Sequence, residues 1–367
     1  MSTNPQERAT PEHSAWSREN RLVEIRREAE RKGYVDGLGV RLPGAPFPIA
    51  SPETGYYGVH LLKEPQWSWE IPPYFFVGGA AGSAAVIGAI AHWTGRDKKL
   101  ARDCRLIAAG GAILSSGLLI SDLGRPARFL AMLRVFKPQS PMSMGAWTLA
   151  AFGSFAGAAA FAQLAAENFG LPVQMLGNIA EGLSAAAGLP FSNYTGVLIG
   201  ATAIPVWNEH IGSLPIHFGM SGLNSAVGIL ELMGHKNPAL NTLGIGAAAI
   251  ESLEGANIEL SKKTSVEPLK RGMSGLITRL GGALSGPVPL ALRIAAAFYG
   301  SRRAMKLRKA AAISSVAGSM LTRIAWVHAG HVSARDWRLP LEIADQNKEL
   351  PSIAREGSAV NKMVKRA

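Results

Sequence analysis

SSGLLISDLGRPARFLAMLRVFKPQSPMSMGAW, residues 115–147, joins two strongly apolar segments through a polar corner that holds Asp122, Arg125, Arg128, Arg134 and Lys137. Gly124 and Pro126 stop the first segment, because proline has no N–H to continue a helix. Pro138 and Pro141 fix the start of the next one. Asp122 and Arg125 therefore fall where one membrane helix ends. A charged, tightly turned corner at a membrane face suits the polar headgroup of a ligand, and the same arginines also suit lipid phosphates.

Working outward, the chain of 367 residues is 47% hydrophobic, a total that a large soluble helical protein could share. Distribution separates the two cases. Both ends are polar, whereas the middle carries repeated apolar runs near the ~20 residues that cross a bilayer. The reading is an all-α integral membrane protein. Its net charge of +12 is concentrated in the two tails and a few short loops, as expected of a chain facing anionic lipid. No basic stripe with interleaved aromatics marks a nucleic-acid surface. Cys104 is the only cysteine, so this chain alone holds neither an internal disulfide nor an iron–sulfur cluster. Met1 to Arg41 lacks the short apolar core of a cleavable signal, and insertion is expected to start from an internal helix.

The chain divides into a polar N-terminal arm over 1–66, a first four-helix bundle over 67–212, a second over 213–331 and a polar tail over 332–367. Within the arm, the run Arg18 to Lys32 has acids and bases spaced for i, i+4 pairs on a short helix. Residues 33–66, rich in Gly, Pro and Tyr, read as an extended arm with Tyr56, Tyr57 and Trp67 near the interface. Eight crossings are expected: 73–93, 104–121, 143–166, 172–202 with a kink at Gly188-Leu-Pro190, 214–234, 238–260, 274–300 broken near Pro287 and Pro289, and 309–329. A basic loop of Arg96, Lys98, Lys99, Arg102 and Arg105 precedes the second. Glu181 stands alone in an apolar run, which costs a few kcal/mol unless it faces protein or water.

Eight crossings put both tails on one side. Lys and Arg near the helix ends are almost equally shared between the faces, so the positive-inside rule does not decide orientation. The dense Arg96–Arg105 and Arg302–Lys309 loops share a face. If that face is cytoplasmic, the tails and the Asp122 corner lie on the periplasmic side of the inner membrane.

The order Asp122-Leu-Gly-Arg-Pro126, Arg128-Phe129, Met132-Leu133, then Pro138 and Ser140-Pro-Met-Ser143 with Gly145-Ala-Trp147, closely resembles the membrane subunit of the polysulfide reductase/NrfD family. Trp67-Ser-Trp-Glu-Ile-Pro-Pro-Tyr-Phe-Phe-Val-Gly-Gly-Ala-Ala-Gly82 resembles the family's first membrane helix. Asn193-Tyr-Thr-Gly196 with Pro205-Val-Trp-Asn208 resembles its fourth. These blocks cover roughly residues 55–215; the later helices match in number and character only. The resemblance implies a subunit that binds menaquinone or ubiquinone and exchanges electrons with a four-cluster ferredoxin-like iron–sulfur subunit, itself serving a molybdopterin catalytic subunit. It also agrees with the tails lying outside.

The expected topology brings Glu70, Tyr74, Asp122, Arg125 and Tyr194 to one face. A quinone needs partners for two carbonyl oxygens, an apolar slot and groups that exchange protons. Tyr74 and Tyr194 can donate to a carbonyl. Glu70 or Asp122 can trade protons if partial burial raises their pKa. In the resembling family, polar residues at the positions of Glu70, Tyr74, Asp122 and Tyr194 form the quinone site. Some members have Asn and His at the first two, so headgroup contacts differ here. Arg125 can orient Asp122 or meet lipid or a partner. Tyr74 and Trp207 also fit an aromatic belt.

Glu231, Glu251, Glu254, Arg279, Arg293 and Arg323 lie in or near apolar segments, where ionisable groups pair or line a hydrated path. Glu231 and Glu251 are the first to consider for a proton route. A haem b anchor needs facing axial ligands, and His92, His217, His235, His328 and His331 fall near helix ends. A transporter, or an assembly subunit without a redox role, stays open as an alternative; broken helices also mark transport sites, although the two halves share no sequence symmetry.

Overall fold

Prolines and short polar side chains set where the helices begin. Pro72 opens α1 (Ile71–Trp93), Pro141 opens α4 (Pro141–Phe169), and Pro238 opens α8 (Pro238–Leu260), each in the first turn where a missing N–H costs nothing. The computed structural model describes residues 61–349 apart from Arg96 and Pro126, together with Val23, Glu24, Arg27 and Arg31, which are helical and exposed. The rest of the N-terminal arm, most of the charged 18–32 run and the end of the tail lie outside the described residues.

Between α1 and α4 come α2 (Lys98–Asp122) and the short α3 (Ala127–Arg134). The start of α2 differs from expectation: Lys98, Lys99, Arg102 and Arg105 belong to the helix, not to a loop before it. The reason is local, since the Asp97 side chain caps the helix by accepting the Leu100 N–H at 2.9 Å. The corner is likewise more ordered than its sequence suggests. It holds α3, and Ser143 stitches it to α4 by donating to the Val135 carbonyl at 3.1 Å and accepting the Lys137 N–H at 3.1 Å.

After α4, which ends on Gly170 with φ of 62°, come α5 (Gln174–Gly200) and the single turn α6 (Pro205–Asn208). The helix α5 runs through Pro190 without a break in its assignment, although proline removes the N–H that would reach the Ala186 carbonyl. Then follow α7 (Leu214–Leu232), α8, a 3-10 turn (Thr264–Leu269), α9 (Gly272–Ser285), α10 (Pro287–Ala296), α11 (Ser301–Arg335) and α12 (Arg338–Glu349). The break between α9 and α10 falls at Gly286-Pro287, as expected from the sequence.

Pro65–Ser333 forms one compact unit, and the residues on either side belong to a second. In the first unit, α1 packs against α2, α5 and α7, while α4 packs against α2 and α5. The approach of α1 to α5 is close because Gly82 and Gly188 face each other: a Cβ on Gly188 would lie 2.8 Å from the Gly82 carbonyl oxygen. In the second unit Arg335 donates to both Glu64 oxygens, at 2.7 and 3.1 Å.

All regular elements among the described residues are helical. Four of the helices, α1, α2, α4 and α11, are long and apolar enough to cross a membrane. The hydropathy of α7 is diluted by side chains that are nonetheless buried against other helices, including His217, Ser221, Asn224, Ser225 and Glu231. In α5 the same is true of Glu181, Ser184, Ser192 and Thr195.

Candidate functional site

The segment leading into α1 carries Trp67, Ser68 and Trp69, and Glu70 occupies the N-cap position. Ser68 is the residue that ties this segment to the end of α2. Its backbone N–H donates to Asp122 Oδ1 at 3.2 Å, and its hydroxyl lies 2.6 Å from the same oxygen. The Ser68 hydroxyl also meets Glu70 Oε2, and Ser121 donates to Glu70 Oε1 at 3.3 Å. Two acids from separate helices thus share one hydroxyl.

A serine hydroxyl carries a single proton. That proton can point to either acid or be shared between them in a three-centre bond. Glu70 departs from expectation: its carboxyl is held below the usual carboxylate range, not above it. The Ser68 hydroxyl is the main cause, followed by its own backbone N–H; with a lesser contribution from Ser121 they outweigh the effect of burial.

Tyr74 lies one turn further into α1, with its N–H bonded to the Glu70 carbonyl at 3.0 Å, and is buried. Tyr194, near the end of α5, packs its ring against Gly145, one turn into α4. Only glycine fits there, because any Cβ would fall on the tyrosine ring. The Tyr194 hydroxyl is buried beside the Gly145 backbone and has no well-formed hydrogen bond among the described residues. Tyr74 and Tyr194 are near enough to act on one another electrostatically. Glu70, Tyr74, Asp122 and Tyr194 thus gather where α1 and α4 begin and α2 and α5 end.

Arg125 is not part of this group. It is exposed in the turn after α2, and the Asp122 carboxylate accepts from Ser68 instead. Ser68 was missed from sequence; the only available signal was a hydroxyl two positions before an acid at a helix start. Trp207 also differs from the expected belt residue. It is fully buried, stacked on Trp67 with centroids 4.9 Å apart, and its indole N–H donates to the Trp326 carbonyl at 2.8 Å. Trp67 in turn meets Phe75 edge-on at 5.9 Å, which fixes the Ser68 segment over the start of α1.

The deeper ionisable residues divide by partner. Glu181 is not alone: Arg105 donates to it at 2.6 Å, and both side chains are buried. Arg105 also bonds Gln163 and, at 3.2 Å, Asn178. Glu231 lies between two guanidinium groups, with Arg293 and Arg308 each at 2.8 Å. Arg279 pairs with Glu259 at 2.9 Å near the surface. Arg323 sits over the Phe218 ring at 4.1 Å and donates to the Phe218 carbonyl at 2.8 Å. Glu251 faces His217 at 3.3 Å. His235 bonds Asp103 at 2.9 Å, and His92 approaches Glu181 at 4.0 Å.

Residues 61–238 match the protein family described as Polysulphide reductase, NrfD. The match takes in α1 to α7 and hence every residue of the Ser68 group. A search of curated proteins finds no match to the chain.

Proposed function

We propose that the chain, whose residues 61–238 match the polysulphide reductase NrfD family, is a membrane subunit of a respiratory oxidoreductase complex and binds menaquinone or ubiquinone beside Glu70, Tyr74, Asp122 and Tyr194. The observation that carries this reading is the Ser68 bridge, which brings the acids of α1 and α2 onto one hydroxyl. A bound quinone supplies two-electron chemistry, and the chain's own groups supply orientation and protons.

The residues suit such a headgroup. The Tyr194 hydroxyl is buried and without a good partner, so it can donate to a carbonyl oxygen at no cost to an existing bond. Tyr74 is a second phenol at similar depth. Glu70 and Asp122 sit nearer the surface, where a proton exchanged with the headgroup can pass to water. The Glu70 carboxyl, held below the usual carboxylate range, accepts from the Ser68 hydroxyl.

Electrons pass between this site and a four-cluster ferredoxin-like subunit, which serves a molybdopterin enzyme. The chain crosses the inner membrane eight times as two four-helix bundles, with the quinone site and both tails on the periplasmic side. Membranes carrying the whole complex test the reading through quinol-dependent electron transfer. Asp122→Asn and Tyr194→Phe are each expected to lower the rate with complex assembly intact. Wild-type rates in both variants remove the site.

A further inference from the structure

A second place in the molecule combines a cavity with buried polar atoms that lack partners. A cavity of about 550 Å³ opens between α7, α8, α9 and α11, within the ~300–1,000 Å³ range of small-molecule sites. Its walls are mostly apolar, and the Trp326 indole forms part of them. At its rim stands the exposed pair Glu259–Arg279. Deep within it are His217 and Glu251, whose side chains are 6% and 0% exposed.

Neither of these two deep groups is fully satisfied, although the Ser285 hydroxyl lies beside the Glu251 carboxylate. Both ring nitrogens of His217 and both carboxylate oxygens of Glu251 lack a well-formed hydrogen bond among the described residues. His217 Nδ1 is 3.3 Å from Glu251 Oε1 but off a hydrogen-bonding direction. The neighbouring Arg323 turns one nitrogen to the Phe218 carbonyl and its face to the Phe218 ring. Leaving such atoms buried and poorly paired costs about 1–3 kcal/mol each, more where charged, so the cavity is shaped to receive something that pairs with them.

The order of polarity selects the ligand. A phospholipid would keep its headgroup at the rim and send an acyl chain down onto His217 and Glu251, leaving them unpaired. Water would satisfy the floor but not the apolar walls. A ring that leads with a hydroxyl and trails an aliphatic chain satisfies both: the hydroxyl donates to Glu251 and accepts from a His217 N–H, and the ring lies along Trp326. We propose that this cavity is a second site for a lipid-soluble hydroquinone, built from residues separate from the Ser68 group. The proposal shares its ligand class with the function proposed above, but none of its residues.

The experiment measures how many molecules of decylubiquinol the full chain binds in nanodiscs, by equilibrium dialysis. Two per chain are expected. Gly255→Phe fills the cavity; a side chain at Gly255 starts in open space, so the substitution displaces nothing. It should leave one bound molecule, as should Tyr194→Phe combined with Asp122→Asn. Glu251→Gln, which keeps the volume, should weaken one of the two sites by about 10-fold, the loss of one charge-assisted hydrogen bond. One bound molecule that survives Gly255→Phe and is lost with Tyr194 and Asp122 overturns the second site and leaves the first. One that is lost with Gly255→Phe alone supports the cavity and removes the first. A phospholipid released by Gly255→Phe, with no hydroquinone bound in wild type, overturns the proposal outright.

Discussion

Asp122 and Glu181 are both acids contributed to the first four long helices, yet they are held in opposite ways. Glu181 is buried about two turns into α5 against Arg105, whose guanidinium also donates to Gln163 and Asn178. Asp122 stands at the helix end and meets a hydroxyl and an amide, with no cation in contact among the described residues. A carboxylate fixed by a guanidinium cannot give up its charge without leaving a buried cation unpaired. A carboxylate held by a hydroxyl and an amide has no such cation to strand. The contrast separates the two acids by partner, not by depth alone.

The largest expected effect comes from breaking the buried pair. Arg105→Leu should lower stability by about 3–5 kcal/mol, because Glu181 is left charged or must take up a proton inside the bundle. The midpoint of thermal unfolding in detergent measures it, and the Arg105→Leu, Glu181→Leu double variant should recover most of the loss. A single variant as stable as wild type means that the pair contributes nothing and the contrast fails.

At the helix end the expected sign is reversed, with activity lost and stability kept. Asp122→Asn should reduce quinol-dependent electron transfer by about 100-fold, the scale of losing a general acid–base group, with an unchanged unfolding midpoint. Tyr194→Phe should cost about 10-fold, near 1.4 kcal/mol for one hydrogen bond to a bound headgroup. A fall in stability that matches the fall in rate would assign Asp122 to the structural class instead.

Ser68→Ala is the most delicate test. The Ser68 hydroxyl is the main reason that the Glu70 carboxyl titrates below its usual range. Glu70 in wild type therefore stays charged to lower pH. Without the hydroxyl its pKa rises toward that of an ordinary glutamate, and it becomes neutral at a higher pH on acidification. The acid limb of the rate against pH should move upward in the variant. A limb that stays in place shows that Glu70 is not the titrating group.

Much of the fold was legible because helices announce themselves locally. The pairing of Pro and Gly with apolar runs located α8 at its observed bounds and the break between α9 and α10. The start of α2 was missed because charge density was read as a loop signal, whereas Asp97 caps a helix whose first turns carry those same charges. Within the site, Glu70, Tyr74, Asp122 and Tyr194 were named from motif positions, and their gathering at one end follows from helix direction. Arg125 was grouped with them by proximity in sequence, but a residue just past a helix end points where the turn sends it. Trp207 was read as an interfacial aromatic because composition does not show that Trp67 stacks on it.

The sequence by itself determined that the chain is helical, that apolar runs of bilayer length dominate its middle, and that a charged corner with Asp122 joins two of them. Those properties depend on periodicity and on proline and glycine chemistry, which act over a few neighbouring residues. Only the tertiary structure decided that Ser68 spans Glu70 and Asp122, that Arg105 neutralises Glu181, and that Glu231 is clamped by Arg293 and Arg308 while Glu251 meets His217 beside a cavity. Each of these pairings depends on the rotation and depth of helices distant in the chain. Such quantities are set by how small residues let the helices approach, and no single segment encodes them.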